Sequence, residues 1–162
     1  MNSSTISWFG MKSDDMLQKW NSGRLVLSTI EDALAEVEVV LFFFSAHWCA
    51  PCREFSPTLK EAYADYKRRG GQKVEVVFVS KDANEDAMSN YMTDDHGEWY
   101  AVAYRSELAA KLDRDHHIDG LPSLVAVNKD GSVKNRNARK DVQENKNYLQ
   151  EICGNEPMIY NV

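Results

Sequence analysis

The sequence predicts an α/β fold in which a central mixed β-sheet is flanked by helices. Short apolar, β-branched runs alternate along the chain with segments of helical period, a pattern typical of strands that are joined by helices and paired in parallel. Lys129-Asp130-Gly131 separates two short apolar runs and predicts a hairpin turn, so the last two strands should be antiparallel neighbours. The 162 residues, 43% of them hydrophobic and 27% charged, suffice for one packed domain. We expect a single domain over 1–162, with a core of about 24–152, an N-terminal extension over 1–23 and a loosely held C-terminal tail.

The individual elements follow from local patterns. Strands are expected at 24–27, 38–44, 74–80, 122–128 and 132–134. In 51–69 the apolar residues recur every three or four positions, which predicts a helix, and Gly70-Gly71 is typical of a helix C-terminus. Pro57 inside this helix is expected to kink it without breaking it. Further helices are expected over 84–94, 106–116 and 141–153.

Charge and hydropathy exclude several classes of function. A net charge of −6 and a pI of about 5.2 argue against nucleic acid as a partner, because phosphate binding needs clustered lysine and arginine. The longest apolar run, 37–44, is too short to span a membrane, and no secretory signal is visible at the N-terminus. Three cysteines do not form the disulfide framework of a secreted scaffold. These features favour a reducing compartment, the cytoplasm or the nucleus.

The motif that carries chemistry is Trp48-Cys49-Ala50-Pro51-Cys52, which follows a predicted buried strand and opens the long helix. Cys49 should lie at the helix start, where free backbone N–H groups and the helix dipole stabilise a thiolate. Cys52 should lie one turn along the helix, close enough to attack a mixed disulfide formed by Cys49. The pattern therefore predicts a redox dithiol, with Cys49 as nucleophile, Cys52 as resolving thiol and Trp48, Ala50 and Pro51 next to the substrate.

Other interpretations of these residues remain open from the sequence. The pair could be two structural cysteines, or part of a zinc site, although such a site needs four ligands and the chain adds only Cys153 and four scattered histidines. Cys153 is otherwise a structural or incidental thiol, and His47 either tunes Cys49 or is a solvated loop residue. We expect no metal. We also expect no bound cofactor, because no Gly-x-Gly-x-x-Gly follows a predicted strand.

The chain from about 37 to 142 resembles the tryparedoxins and nucleoredoxin-like proteins, a branch of the thioredoxin superfamily. The resemblance rests on Phe-Ser-Ala-His-Trp-Cys-Ala-Pro-Cys-Arg-Glu-Phe-Ser-Pro at 44–57, on Val-Phe-Val-Ser-Lys-Asp at 77–82, on Trp99, on Leu-Pro-Ser at 121–123 and on Ala138-Arg139. It implies a thioredoxin fold with a cis proline, Pro122, beside the dithiol. It also implies that the backbone of Leu121 contacts an extended substrate segment and that Arg139 is a basic contact residue.

The sequence departs from this family at three positions. Ala50 replaces the first of two prolines between the cysteines, Phe43 replaces a tyrosine, and Ala83 replaces a glutamate that the family associates with substrate contact. Dithiol chemistry does not depend on these positions.

Resolution requires a proton acceptor for Cys52. Ordinary thioredoxins use an aspartate on the strand before the motif, and 39–44 contains none. Asp82, at the end of the neighbouring predicted strand, is the substitute that we expect. The alternative, given equal weight, is that Asp82 is an exposed loop-capping residue without a catalytic role.

The leading hypothesis is a protein-disulfide reductase that contributes to redox homeostasis. Its electrons would come from an unidentified reductase or a low-molecular-weight thiol. Its acceptors would be disulfide-bearing proteins such as peroxiredoxin-type peroxidases, as the resemblance implies. The alternative is a nucleoredoxin-like, redox-sensitive protein-binding module with little turnover.

Overall fold

The computed structural model describes residues 7–154. The first six residues of the expected N-terminal extension and the C-terminal tail from 155 onward lie outside the described residues. Seven strands are described: β1 (Met16–Asn21), β2 (Arg24–Thr29), β3 (Val39–Ser45), β4 (Val74–Ser80), β5 (Tyr100–Ala101), β6 (Ser123–Asn128) and β7 (Val133–Asn135). Six helices accompany them: α1 (Ile30–Ala33), α2 (Ala50–Arg68), α3 (Glu85–Asp95), α4 (Glu107–Asp115), α5 (Ala138–Glu144) and α6 (Tyr148–Glu151).

The strands form one mixed sheet in the order β2-β1-β5-β4-β3-β6-β7. Strand β3 pairs in parallel with β4 and antiparallel with β6, and β7 continues the sheet antiparallel to β6 through the predicted hairpin. All seven residues of β3 are buried because the strand has a neighbour on each edge and is covered on both faces. The expected α/β fold with a mixed central sheet is therefore confirmed.

Alternate residues of β3 point into two separate cores. Val39, Leu41 and Phe43 pack with apolar residues of α2, α3, α5 and α6, whereas Val40 and Phe42 pack with α1, α4 and residues near the N-terminus. This period of two is the geometry of an extended strand between two layers. The end of β3 is held rigidly as a result, and the candidate site begins there.

The long helix α2 runs through Pro57 without interruption and ends where the two glycines predict. The N–H of Gly70 donates to the carbonyl of Lys67 at 3.0 Å, and the N–H of Gly71 donates to the carbonyl of Tyr66 at 3.0 Å. Gly70 has a φ of +89°, which favours glycine, so the pair closes the helix as a Schellman motif.

Some elements differ from the prediction. Strand β1 lies within the segment expected as an N-terminal extension; it pairs with β2 and β5, and Leu17 is its one fully buried residue. The prediction of one continuous last helix over 141–153 is wrong, because α5 ends before Asn145 and α6 begins only at Tyr148. The expectation of a single domain with a core of about 24–152 stays a prediction. Within 7–154, no helix combines the length and apolar character needed to cross a bilayer.

Candidate functional site

The two cysteines of the motif lie where β3 gives way to α2. Cys49 is the N-cap residue, with an extended backbone, and Cys52 lies in the first turn of the helix. The two sulfur atoms are joined in a disulfide, with 5.2 Å between the Cα atoms. The backbone N–H of Cys52 also points to the Cys49 Sγ at 3.3 Å. In the reduced protein this N–H and the helix dipole favour a thiolate on Cys49.

The two sulfurs differ in accessibility. Cys49 is 7% exposed, whereas Cys52 is 0% exposed. Cys52 packs with Cys49 and Ala46 beneath the partly buried Leu121. A molecule that approaches from solvent therefore reaches Cys49 first.

The other residues of the motif form the exposed rim of the disulfide. The indole of Trp48 is 63% exposed, and its Nε1–H donates to the carbonyl of Lys81 at 2.9 Å, which fixes the ring plane. Ala50 and Pro51 are exposed at the first two positions of α2. Pro51 costs the helix no hydrogen bond, because N–H groups in the first turn have no partner within the helix.

The loop before β6 lies across the disulfide. The Leu121–Pro122 peptide bond is cis, as expected. The carbonyl oxygen of Leu121 lies 3.9 Å from the Cys49 Sγ, and Pro122 is buried. Arg139 is brought to the same loop, where its Nη1 donates to the carbonyl of Pro122 at 3.2 Å. The fold thus brings the Leu121–Pro122 segment to the side of the dithiol, and Arg139 contacts the far end of that segment.

Asp82 is only 2% exposed, so the expectation of an exposed loop-capping residue is wrong in its exposure. Its Oδ1 accepts the backbone N–H of His47 at 2.7 Å, and its Oδ2 accepts the hydroxyl of Ser80 at 2.6 Å. The carboxylate therefore fastens the loop that precedes Cys49 to the end of β4. Asp82 is buried because it packs against this loop two residues after β4 ends. Its role as proton acceptor for Cys52 stays a prediction.

Three buried hydroxyls, which no sequence pattern predicts, meet between the end of β3, α2 and α3. The Tyr91 hydroxyl lies 2.7 Å from the Ser45 Oγ and 2.6 Å from the Ser56 Oγ. The two serines flank the motif in sequence. Tyr91 has the helical spacing of a core residue, three positions after the buried Met88, and this pattern gives no sign of a hydroxyl partner.

The third cysteine lies apart from this site. Cys153 follows α6, is half-buried and lies 4.0 Å from the carbonyl of Lys73. Among residues 7–154, no three side chains of histidine, cysteine, aspartate or glutamate lie together as metal ligands would.

A disulfide capping the helix after a central strand, with a cis proline beside it, defines a dithiol protein of the thioredoxin fold. The chain belongs to the thioredoxin-like oxidoreductase family, in its tryparedoxin and nucleoredoxin-like branch; the model of the family described as "Thioredoxin-like" matches residues 37–133. Nucleoredoxin from Bos taurus is 37% identical over 115 residues, which cover 70% of this chain and 26% of that protein. Tryparedoxin from Trypanosoma brucei brucei is 32% identical over 111 residues, covering 66% of this chain and 73% of that protein.

Structural similarity leads to the same family. The crystal structure of thioredoxin from Wuchereria bancrofti superposes with a TM-score of 0.77 at 37% identity, covering 83% of this chain and 89% of that one. The predicted thioredoxin fold is therefore confirmed. The chain spans only 26% of the length of the Bos taurus nucleoredoxin that it matches.

Proposed function

We propose that this chain is a protein-disulfide reductase in which Cys49 is the nucleophile and Cys52 the resolving thiol. The observation that carries the proposal is the Cys49–Cys52 disulfide at the start of α2, in which Cys49 alone is in contact with solvent. The sulfur that a substrate can reach is also the one that accepts a backbone N–H and faces the positive end of the helix dipole. Accessibility and thiolate stabilisation thus support the same residue as nucleophile.

The reaction proceeds by two thiol–disulfide exchanges. The Cys49 thiolate attacks one sulfur of the substrate disulfide, forms a mixed disulfide and expels the other substrate sulfur as a thiolate, which takes up a proton. Cys52 then loses its proton and attacks the Cys49 Sγ. This step forms the Cys49–Cys52 disulfide and releases the second substrate thiol, so two electrons pass from the dithiol to the substrate. Asp82 is the proposed acceptor of the Cys52 proton.

The substrate segment is proposed to lie along the loop before β6. The carbonyl of Leu121, next to the Cys49 Sγ, offers a hydrogen-bond acceptor to an extended chain. The adjoining Pro122 is buried. Trp48, Ala50 and Pro51 supply an exposed, largely apolar rim. The proposed substrate contacts are therefore Trp48, Ala50, Pro51, Leu121, Pro122 and Arg139.

The electron supply is proposed to come from outside the chain, from a reductase or a low-molecular-weight thiol. The proposed acceptors are disulfide-bearing proteins such as peroxiredoxin-type peroxidases. The proposed location is the cytoplasm, with the nucleus as the alternative. Membership of the thioredoxin-like family supports disulfide-bearing substrates as the acceptors.

A second candidate function is a redox-sensitive protein-binding module with little turnover. It is favoured by the exposed Trp48 beside the disulfide, because a large exposed aromatic residue is typical of a binding surface. Insulin reduction with dithiothreitol as electron source separates the two functions. Turnover well above background that is lost in Cys49→Ser supports the reductase, whereas turnover near background in the unaltered protein supports the binding module.

A further inference from the structure

Three hydroxyl groups connect the end of β3 to the helical turn that carries Cys52. Ser45 is the last residue of β3, Ser56 lies one turn after Cys52 in α2, and Tyr91 reaches them from α3. All three residues are fully buried. Buried hydroxyls require partners because water cannot reach them.

The direction of each hydrogen bond follows from the number of protons available. The Ser56 hydroxyl donates its one proton to the carbonyl oxygen of Cys52 at 2.9 Å. The Tyr91 hydroxyl must then donate to the Ser56 Oγ, and the Ser45 hydroxyl must donate to the Tyr91 oxygen. Burial raises the pKa of Tyr91, so its hydroxyl keeps the proton that this arrangement uses. The result is one directed chain from Ser45 to the backbone of Cys52.

This hydroxyl chain, Ser45–Tyr91–Ser56, links the two segments whose separation determines the dithiol geometry. Ser45 precedes the loop that leads to Cys49, whereas the chain ends on the carbonyl of Cys52 itself. Loss of the Tyr91 hydroxyl removes its bonds to Ser45 and Ser56. Because hydrogen bonds in series polarise one another in a dry interior, it also weakens the bond from Ser56 to the Cys52 carbonyl.

We propose that Tyr91 is a positioning residue that holds Cys52 in reach of Cys49 during resolution of the mixed disulfide. The inference rests on the proposed function, because it assigns Tyr91 to the second of the two exchange steps. Cys49 itself reacts first and from the surface, so its attack on a substrate does not require the hydroxyl chain. Intramolecular attack depends strongly on geometry, and a displacement of about 1 Å can cost up to about 10²-fold in rate.

The two steps can be timed separately with 5,5′-dithiobis(2-nitrobenzoate). The Cys49 thiolate of the reduced protein attacks this disulfide and releases one thionitrobenzoate; Cys52 then attacks the Cys49 Sγ, loses its proton to buffer and releases the second. Stopped-flow absorbance under excess reagent resolves the two phases. All variants carry Cys153→Ser, so that the third thiol does not contribute.

Tyr91→Phe keeps the ring and removes the hydroxyl. We expect the second phase to slow by about tenfold and the first phase to stay within about twofold. The matched control is Tyr66→Phe, another fully buried tyrosine, whose hydroxyl accepts the backbone N–H groups of Lys73 and Val74 at the far end of β4. This control should destabilise the protein without slowing either phase.

A second pair of variants tests the last link of the chain, the hydrogen bond from Ser56 to the Cys52 carbonyl. Ser56→Ala should slow the second phase as Tyr91→Phe does, and Ser56→Thr, which retains a hydroxyl, should restore it. A second-phase rate in both Tyr91→Phe and Ser56→Ala equal to that of the Tyr66→Phe control would overturn the role of Tyr91. If the protein that carries only Cys153→Ser shows no first phase from Cys49, that result would instead overturn the proposed function.

Discussion

The buried His96 makes the free energy of unfolding of this protein fall as the pH is lowered. The His96 ring is 5% exposed and packs against Tyr91 at 4.2 Å and Phe78 at 4.4 Å between centroids. Its Nδ1 accepts the indole N–H of Trp99 at 3.3 Å. Burial, with a smaller contribution from the positive charge of Lys60, lowers the pKa of His96 from 6.5 to about 3. The imidazole is therefore neutral in the folded protein at all but strongly acidic pH.

The sign and size of the effect follow from linkage. Between about pH 6.5 and pH 3 the unfolded chain binds a proton at His96 and the folded protein does not, so protons favour unfolding. The stabilisation is fully present above pH 6.5 and is lost as the pH falls towards 3. The complete loss is about 5 kcal/mol, and between pH 7 and about pH 4.5 it is about 2–3 kcal/mol.

His96→Gln isolates this contribution. Glutamine takes up no proton, and its carboxamide oxygen can accept the Trp99 indole N–H. The assay is urea unfolding of both proteins at pH 7 and about pH 4.5. We expect the unaltered protein to lose about 2–3 kcal/mol more than the variant on acidification. His116, whose pKa is also lowered by burial, is present in both proteins and cancels. Equal losses of unfolding free energy in the two proteins would contradict the lowered pKa of His96.

Three further predictions concern the site and α2. Limiting iodoacetamide at neutral pH should label Cys49 before Cys52 in the reduced protein, as read by peptide mapping; first labelling of Cys52 contradicts their assigned order. Asp82→Asn should slow resolution and move the pH profile of turnover upward with little change in Cys49 alkylation; an unchanged profile removes its role as base. Gly71→Ala should lower the unfolding free energy by about 1–3 kcal/mol, because the new Cβ would lie 2.3 Å from the Tyr66 ring, and an unchanged urea midpoint contradicts this.

The central elements could be predicted because their patterns are strong. Strand β4 has the predicted bounds, and β3 is displaced by one residue, since both are predominantly apolar segments in which every residue is buried. Strands β1 and β5 carry almost no such signal: β1 buries only Leu17, and β5 has two residues. The break between α5 and α6 involves Asn145 and Asn147, whose local hydrogen bond competes with helical bonding and is not evident from apolar spacing.

The same distinction holds at the candidate site. Cys49, Cys52 and Pro122 are identified by short motifs, and the fold brings them together. The burial of Asp82 depends on the tertiary contact between the loop at His47 and the segment after β4. The position of Tyr91 likewise depends on the packing of α3 against α2, so its hydroxyl partners cannot be read from its own segment.

In the proposed reaction Cys49 forms the mixed disulfide and Cys52 resolves it. This assignment is tested by intact mass spectrometry of reduced Cys52→Ser after incubation with native, disulfide-bonded insulin, followed by peptide mapping of the adduct. We expect a stable adduct on Cys49 that dithiothreitol releases, because the resolving thiol is missing. An adduct confined to Cys153, or none at all, would contradict the assignment of Cys49 as the attacking thiol.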